Sequence, residues 1–215
     1  MQKKQILLFF KATEYYHESI PSAVACLLRI SKNLDWTATA TEDSSIFDVN
    51  GDYGLAKYDV IVFVSNSGDL FTESEKLGLQ KYVNECAGNI LGLHGAIASF
   101  LNLVDHTGAS QAKGTWEWYG ELMGAYFSSH PPIQTGKVDM EIEKLKELNL
   151  LSLPKSFQHE DEWYNLDRDP SQNPNMTVLA WADESTYSGG MMGKSHPIIW
   201  YHYYGEKKSK VFYSA

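Results

Sequence analysis

The first hundred residues alternate apolar runs with amphipathic stretches. Four apolar runs predict strands, and Asp59 to Ser65 is the clearest, because a continuous run of β-branched and aromatic residues is typical of a strand covered on both faces. Amphipathic spacing predicts helices over Pro21 to Leu34 and from Thr72 to Gly88, where Thr72 and Glu75 have capping-box spacing. The other predicted strands are Gln5 to Phe10, Trp36 to Ala40 and the segment that leads to His94. This alternation indicates a mostly parallel sheet with right-handed crossovers.

After residue 104 the pattern becomes less regular. The polar, glycine-containing stretch Asp105 to Thr115 predicts a loop, Trp116 to Gly124 a short helix, and the charged periodicity of Lys137 to Leu150 a longer helix. Further strand candidates are Glu162 to Leu166, Met176 to Ala182, Pro197 to Tyr203 and Lys210 to Ser214. Because no composition break marks a boundary, we predict a single domain over residues 1–215, in which the second half extends the same sheet. The sequence stops inside a predicted strand, so we expect part of the natural C-terminus to be missing.

Composition narrows the classes of function. The 215 residues carry a formal net charge of −9 and no Lys/Arg-rich block, which argues against nucleic-acid binding, because that binding depends on neutralising phosphates. Lys11 and Glu14 interrupt the first apolar run well before it reaches the length of a signal-peptide core or a membrane span. Cys26 and Cys86 are expected to be reduced thiols. We therefore expect a cytoplasmic protein.

Polar loops follow three of the predicted parallel strands. They contain His17 and Ser19 after the first strand, Asp69 after the third and His94 after the fourth. Because the carboxyl ends of parallel strands meet at one edge of a sheet, we expect these loops to converge. His94 lies on a strand-to-helix elbow, where an acyl-transfer enzyme would carry Ser or Cys, and an imidazole there favours proton or metal chemistry over a covalent thiol step.

The second half supplies histidines and carboxylates next to aromatic residues. The pairs Asp161–Glu162 and Asp183–Glu184 are candidate acid–base groups, although such pairs are as often solvated loop residues or caps. Aromatic faces can stack on pyranose rings while histidines and carboxylates bind hydroxyl groups. The candidate binding residues of this half are Trp116, Tyr119, His130, Trp163 and His196. The remaining histidines, His106, His159 and His202, are predicted to be structural or surface residues.

Common cofactor motifs are absent from the sequence. A metal site would have to use scattered ligands such as His17, His94, His130 and His196, because no H-x-H, H-E-x-x-H or cysteine cluster occurs. The Gly-Gly at position 189 is not followed by the helix that a phosphate site needs. We predict no metal and no other cofactor, and the scattered-histidine metal site is the alternative.

A series of short motifs runs along nearly the whole chain. Its members are Tyr16–Pro21, Ala38–Asp43, Asp59–Phe63, Ser67–Asp69, Gly92–Ala96, Trp118–Gly120, His130–Gln134, Asp161–Tyr164, Asp183–Tyr187, His196–Trp200 and Val211–Ala215. In this order the motifs resemble the trehalose-utilisation (ThuA-like) family of the class I glutamine amidotransferase-like superfamily. The resemblance implies an α/β, three-layer, flavodoxin-like fold with a mostly parallel central sheet.

The resemblance also implies a role in carbohydrate metabolism. The predicted activity is processing of a disaccharide or its keto derivative, in which His94 and a carboxylate from Asp161–Glu162 or Asp183–Glu184 transfer protons. Since His94 stands where an amidotransferase has its nucleophilic cysteine, glutaminase activity is not expected. The alternative is a non-catalytic sugar-binding or interaction module on the same scaffold. The expected partner is a small-molecule carbohydrate, with no nucleic acid and no membrane, and a homo-oligomer stays open.

Overall fold

A computed structural model describes residues 3–51, 54–102, 113–150 and 152–215. The helices are α1 (Ile20–Asn33), α2 (Glu73–Asn84), α3 (Glu117–Met123) and α4 (Ile142–Glu147). The strands are β1 (Gln5–Phe9), β2 (Thr37–Thr41), β3 (Val60–Val64), β4 (Ser67–Gly68), β5 (Asn89–Leu93), β6 (Ala98–Ser99), β7 (Leu101–Asn102), β8 (Lys113–Gly114), β9 (Phe127–Ser129), β10 (Gln134–Met140), β11 (Ser156–Asp161), β12 (Asn165–Leu166), β13 (Thr177–Asp183), β14 (Pro197–Tyr204) and β15 (Ser209–Ser214).

The chain divides into two compact units. Unit 1 comprises Met1–Leu101 and Tyr203–Val211, and unit 2 comprises Asn102–His202 and Phe212–Ala215. The α/β class predicted from the sequence is confirmed, with helices and strands alternating in unit 1. The single-domain organisation stays a prediction.

Unit 1 contains the parallel sheet that the sequence predicts. The parallel strands lie in the order β5-β3-β1-β2, and β15, of which residues 209–211 belong to this unit, lies next to β5. Strand β1 pairs in parallel with β2 and β3, and β3 pairs in parallel with β5. The carboxyl ends of β1, β3 and β5 therefore lie side by side at one edge, which is where ligands bind in open α/β sheets.

Both faces of this sheet are covered, as its uninterrupted apolar strands require. On one face, Ile6 and Leu8 of β1 pack with Val62 and Val64 of β3 and with Val24 of α1. On the other face, a group of phenylalanine rings packs together with centroid separations of 4.5 to 6.4 Å. This group comprises Phe9, Phe47, Phe63, Phe71 and Phe100.

Helix α2 begins with the predicted capping box. Thr72 Oγ1 accepts a hydrogen bond from the backbone N–H of Glu75, and Glu75 Oε2 accepts one from the N–H of Thr72. The prediction that Gly88 ends this helix is wrong, because α2 ends at Asn84 and Ala87 adopts the left-handed conformation, with φ of 54°. A Cβ at Gly88 would lie 2.1 Å from the ring of Tyr82, so the glycine allows close packing instead.

Unit 2 is built around antiparallel strands. Its strand order is β11-β10-β13-β14, and all three of these pairings are antiparallel. Strands β9 and β12 form a separate short antiparallel pair. The core of this unit contains Val138, Trp163, Ala180, Ala182 and Ile198.

Two sequence-based assignments in unit 2 are wrong. Lys137 to Leu150 is not one helix, because residues up to Met140 belong to β10 and only Ile142–Glu147 is helical. Val138 is buried between polar neighbours and pairs with both β11 and β13, which is strand periodicity. Glu162 to Leu166 is not a continuous strand either, because β11 ends at Asp161 and β12 comprises only Asn165–Leu166.

The remaining predicted elements agree with the structure within a few residues at each end. These are the first three strands, the strand before His94, α1, the short helix α3 and the strands β13, β14 and β15. Most of the loop predicted from Asp105 to Thr115 lies outside the described residues. None of the helices in the described part of the chain combines the length and the apolar character that crossing a bilayer requires.

Candidate functional site

Two neighbouring strands of unit 1 end in the same unusual backbone conformation. Ser65 follows β3 with φ of 48°, and His94 follows β5 with φ of 44°. A residue other than glycine in this left-handed region costs on the order of 1–3 kcal/mol and is often found at functional sites. His94 then opens a short 3-10 helix, His94–Ile97. This geometry confirms the predicted elbow, and it turns the chain away from the sheet directly at the imidazole.

Gly95 lets the three strand ends approach one another. A Cβ on Gly95 would lie 3.0 Å from the backbone oxygen of Asn66 and 3.1 Å from Nε2 of His17. These separations are shorter than ordinary van der Waals contacts, so a side chain at this position would press on the segments that follow β1 and β3. The glycine of the His-Gly sequence is therefore a packing requirement of the site.

His17 and His94 are in direct ring contact. Their ring centroids are 4.5 Å apart with an interplanar angle of 72°, and a ring nitrogen of one lies within 4.8 Å of a ring nitrogen of the other. His17 is 9% exposed, and its ring also contacts Tyr15 at 4.8 Å. The predicted convergence of His17 and His94 at one sheet edge is confirmed. We call these two residues the histidine pair.

Two buried polar atoms near the same strand ends lack hydrogen-bond partners among the described residues. They are Oδ1 of Asn66, directly after Ser65, and Oγ of Ser99, shortly after the 3-10 helix. The amide nitrogen of Asn66 donates to the backbone oxygen of Lys11, which fixes this side chain against the loop after β1. Both atoms can accept a hydrogen bond, and the Ser99 hydroxyl can also donate one.

The other predicted residues of unit 1 are more peripheral. Ser19 is exposed at the N-cap of α1, and its side chain makes no capping hydrogen bond. Asp69 is exposed, and its backbone oxygen accepts a hydrogen bond from Thr13 Oγ1 at 3.1 Å. Their roles in substrate binding stay predictions.

The histidine pair of unit 1 could also bind a metal ion. Neutral imidazoles are good ligands for zinc, copper, nickel and iron, and the pair could supply two of them. A catalytic zinc usually has three protein ligands, so the pair alone would leave positions for other groups.

Among the candidate carboxylates of unit 2, Glu162 has the neighbours that best suit an acid–base group. Its side chain is 15% exposed, and its Oε1 lies 3.9 Å from Nε2 of His130. Burial raises the pKa of Tyr164 well above its usual value, and nearby Tyr213 and a hydrogen bond with Glu162 add to this effect. The Tyr164 hydroxyl therefore stays protonated and can donate to Glu162. This arrangement can hold a carboxylate ready for proton transfer.

The other three candidate carboxylates are engaged in local structure. Asp161 accepts a hydrogen bond from the N–H of Glu162 and lies 3.2 Å from Nε2 of His159. Asp183 caps a 3-10 turn, and hydrogen bonds from Ser185 lower the pKa of Asp183. Glu184 accepts from the N–H groups of Met192 and Gly193. Their surroundings favour structural roles over catalysis.

His196 occupies the centre of a buried polar network. It is 0% exposed; its Nε2 donates to the backbone oxygen of Tyr164, and its Nδ1 lies 2.9 Å from Glu184 and 2.6 Å from the Tyr187 hydroxyl. Because both ring nitrogens are in use, the structure argues against the predicted contact between His196 and a substrate.

Burial also changes the interpretation of the aromatic candidates. Trp163 is 3% exposed, stacks on Tyr187 at 5.2 Å and donates from Nε1 to the backbone oxygen of Gln134. Tyr119 is 0% exposed. Neither can offer a free face to a sugar, which corrects that expectation. Trp116 is half-buried and stacks on Trp118 at 5.1 Å.

The three histidines that the sequence predicts to be structural or surface residues differ in their surroundings. His159 is exposed, whereas His202 is buried and bonded to the backbone oxygen of Leu122. His106 lies outside the described residues.

Sequence reasoning missed the contributions of Tyr15 and Asn66, whose only signal was their position in the loops after β1 and β3.

Comparison with known proteins gives a consistent result. The family model described as trehalose utilisation, ThuA, matches residues 5–215. A protein described as ThuA-like from Bacteroides uniformis has a TM-score of 0.72 at 22% identity, covering 98% of this chain and 80% of its own. A second one, from Parabacteroides merdae, has a TM-score of 0.69 at 16% identity, covering 99% of this chain and 79% of its own. No curated protein is significantly similar in sequence. These structural likenesses show a shared fold.

Proposed function

The chain belongs to the trehalose-utilisation (ThuA) family, and from this premise we propose that it binds a disaccharide or its keto derivative and processes it by acid–base chemistry. Family membership links the chain to trehalose utilisation in general. The observation that carries the finer proposal is the histidine pair, with its ring centroids 4.5 Å apart at the ends of parallel strands.

His94 is the proton carrier in this proposal. Imidazole exchanges protons readily near neutral pH and can act as base and then as acid in one turnover. The elbow fixes His94 above the sheet edge, where it can take a proton from a sugar hydroxyl or from a carbon next to a keto group. His17, held between Tyr15 and His94, binds a neighbouring hydroxyl and orients the ring.

Within unit 2, Glu162 is the candidate acid–base carboxylate. Its hydrogen bond with Tyr164 and its position near His130 support this choice over Asp161, Asp183 and Glu184. A cytoplasmic location and a small-molecule carbohydrate partner belong to the same proposal. Both cysteines are free, which is usual in a reducing compartment.

The test measures binding and turnover separately. Trehalose and its 3-keto form are titrated calorimetrically into wild type, His94→Ala and Glu162→Gln, and products are analysed by chromatography. Loss of a general acid–base group lowers turnover by about 10²–10⁴-fold, and we expect this for His94→Ala, with a much smaller effect on binding. His159→Ala, which removes an exposed histidine, is the matched control and should keep wild-type turnover.

Each outcome decides between the candidate functions. Binding without conversion by wild type would favour the second candidate, a non-catalytic sugar-binding module on this scaffold. No sugar binding together with tight nucleotide binding would exclude both. Unchanged turnover in Glu162→Gln would remove Glu162 from the mechanism and leave the role of His94 standing.

A further inference from the structure

Tyr15 is an exposed aromatic residue next to the histidine pair. The residue is 61% exposed, yet its ring packs edge-on against His17 with a centroid separation of 4.8 Å and an interplanar angle of 78°. The rings of Tyr15, His17 and His94 therefore form a continuous series that starts at the surface and ends at the elbow.

The backbone that carries Tyr15 is held firmly in place. The Ser67 hydroxyl donates to the backbone oxygen of Tyr15 at 2.5 Å, and the N–H of Thr13 donates to the backbone oxygen of Ser67 at 2.9 Å. Gly68, with φ of 80°, lies so close that an added Cβ would be 2.3 Å from Thr13 Oγ1. The loop after β1 is thus fastened to the segment after β3, and an exposed ring on a fixed backbone loses little entropy when a ligand packs against it.

We propose that Tyr15 is the stacking platform for the second ring of a disaccharide whose first ring lies at His17 and His94. This inference rests on the proposed function. Trp163 and Tyr119, the aromatic residues expected to stack on sugar, are buried, whereas Tyr15 is exposed and contacts His17 of the pair. Tyrosine suits this role because it combines a large apolar face with a hydroxyl group and has only two rotatable side-chain bonds.

The proposal predicts a selective loss of disaccharide affinity. Trehalose and glucose are titrated into wild type, Tyr15→Ala and Tyr15→Phe. Removal of an aromatic stacking partner weakens binding by about 3- to 10-fold, and we expect this for trehalose with Tyr15→Ala. Glucose should bind Tyr15→Ala as it binds wild type, because a single ring occupies the histidine pair. Tyr15→Phe keeps the platform and should restore trehalose affinity to within about twofold.

Two further variants control for exposure and for position. Tyr203→Ala removes a tyrosine that is also exposed, at 53%, and lies elsewhere in unit 1, and it should leave trehalose affinity unchanged. Tyr16→Ala removes the adjacent exposed ring. Circular dichroism of every variant verifies that the fold is kept.

The outcomes separate this inference from the proposed function. Equal trehalose affinity in wild type and Tyr15→Ala would overturn the platform while leaving the sugar site at the histidine pair intact. A loss in Tyr16→Ala instead of Tyr15→Ala would overturn the choice of residue. Parallel losses for glucose and trehalose in Tyr15→Ala would show a general disturbance of the site and contradict a second-ring subsite. Failure of wild type to bind trehalose would overturn the proposed function, and this inference with it.

Discussion

At the scale of single residues, the site is shaped by backbone positions that carry an energetic cost. His94 and Ser65 both have positive φ, at 44° and 48°. Strain of this kind persists only where the surrounding packing fixes it. Gly95 provides that packing, because its missing side chain lets the segment after β3 and the ring of His17 close on the elbow.

Gly95→Ala should therefore damage the site more than the fold. The added methyl group would lie 3.0 Å from the backbone oxygen of Asn66 and 3.1 Å from His17 Nε2, so the histidine ring must shift by a few tenths of an ångström. Overpacking of this kind costs about 1–3 kcal/mol. We expect urea denaturation to show a lower free energy of unfolding. Sugar turnover should fall by a larger fraction than the free energy of unfolding does.

Gly51→Ala is the matched control for this substitution. Its new Cβ would meet Asp48 at 3.7 Å, which is an ordinary contact, so stability and turnover should stay close to those of wild type. If Gly95→Ala lost stability but retained full turnover, the glycine would be a requirement of the fold and not of the site.

At the scale of elements, side chains of β14 complete the end of helix α3. Trp200 Nε1 donates to the backbone oxygen of Met123, and His202 Nε2 donates to that of Leu122, each at 2.8 Å. These carbonyls belong to the last turn, where helices lack internal partners. Because both donors come from a strand distant in sequence, they fix α3 within unit 2.

This contact should make stability depend on pH. Burial lowers the pKa of His202 below its usual value, and its hydrogen bond to Leu122 opposes this only in part. The unfolded chain therefore takes up the proton first as pH falls below about 6.5, which favours unfolding. The contribution of His202 to the free energy of unfolding is fully present above that pH. It is lost as the pH falls toward the lower pKa that His202 has in the folded state.

Urea denaturation at pH 7.5, 6.5 and 5.5 measures this dependence. We expect wild type to lose more free energy of unfolding between pH 6.5 and 5.5 than His202→Gln, which cannot titrate but can still donate a hydrogen bond. Equal slopes for wild type and His202→Gln would show that His202 does not titrate in this range.

The sequence predicts elements well where one physical signal dominates. The apolar run of β3, the capping box at Thr72 and the turn at His94 each identify their element. The prediction from sequence fails at β10, because the charged residues Lys137 and Asp139 resemble those on the surface of a helix. The segment is a strand because it pairs with β11 and β13, which are distant in sequence. The prediction also misplaces Trp163 and His196, since burial depends on contacts between distant segments.

At the scale of the whole molecule, the family fold does not determine the chemistry. Acyl-transfer enzymes with a strand-to-helix elbow carry a Ser or Cys nucleophile at that position, and this chain has His94 there. Its two thiols lie elsewhere. Cys26 is half-buried on α1, and its Sγ lies 3.6 Å from Nη2 of Arg29. Cys86 is exposed in the turn after α2. Neither follows a strand of the parallel sheet.

We expect the protein to release no ammonia from glutamine. Cysteine-dependent hydrolysis of glutamine proceeds through a thioester, which requires a thiolate next to the substrate carbonyl, whereas an imidazole at the elbow forms no lasting acyl intermediate. Ammonia release by wild type is compared with that of Cys26→Ala and Cys86→Ala over the same incubation. Background release in all three samples is the expected result. Release by wild type that disappears in either cysteine variant would place a catalytic thiol outside the elbow and contradict the role assigned to His94.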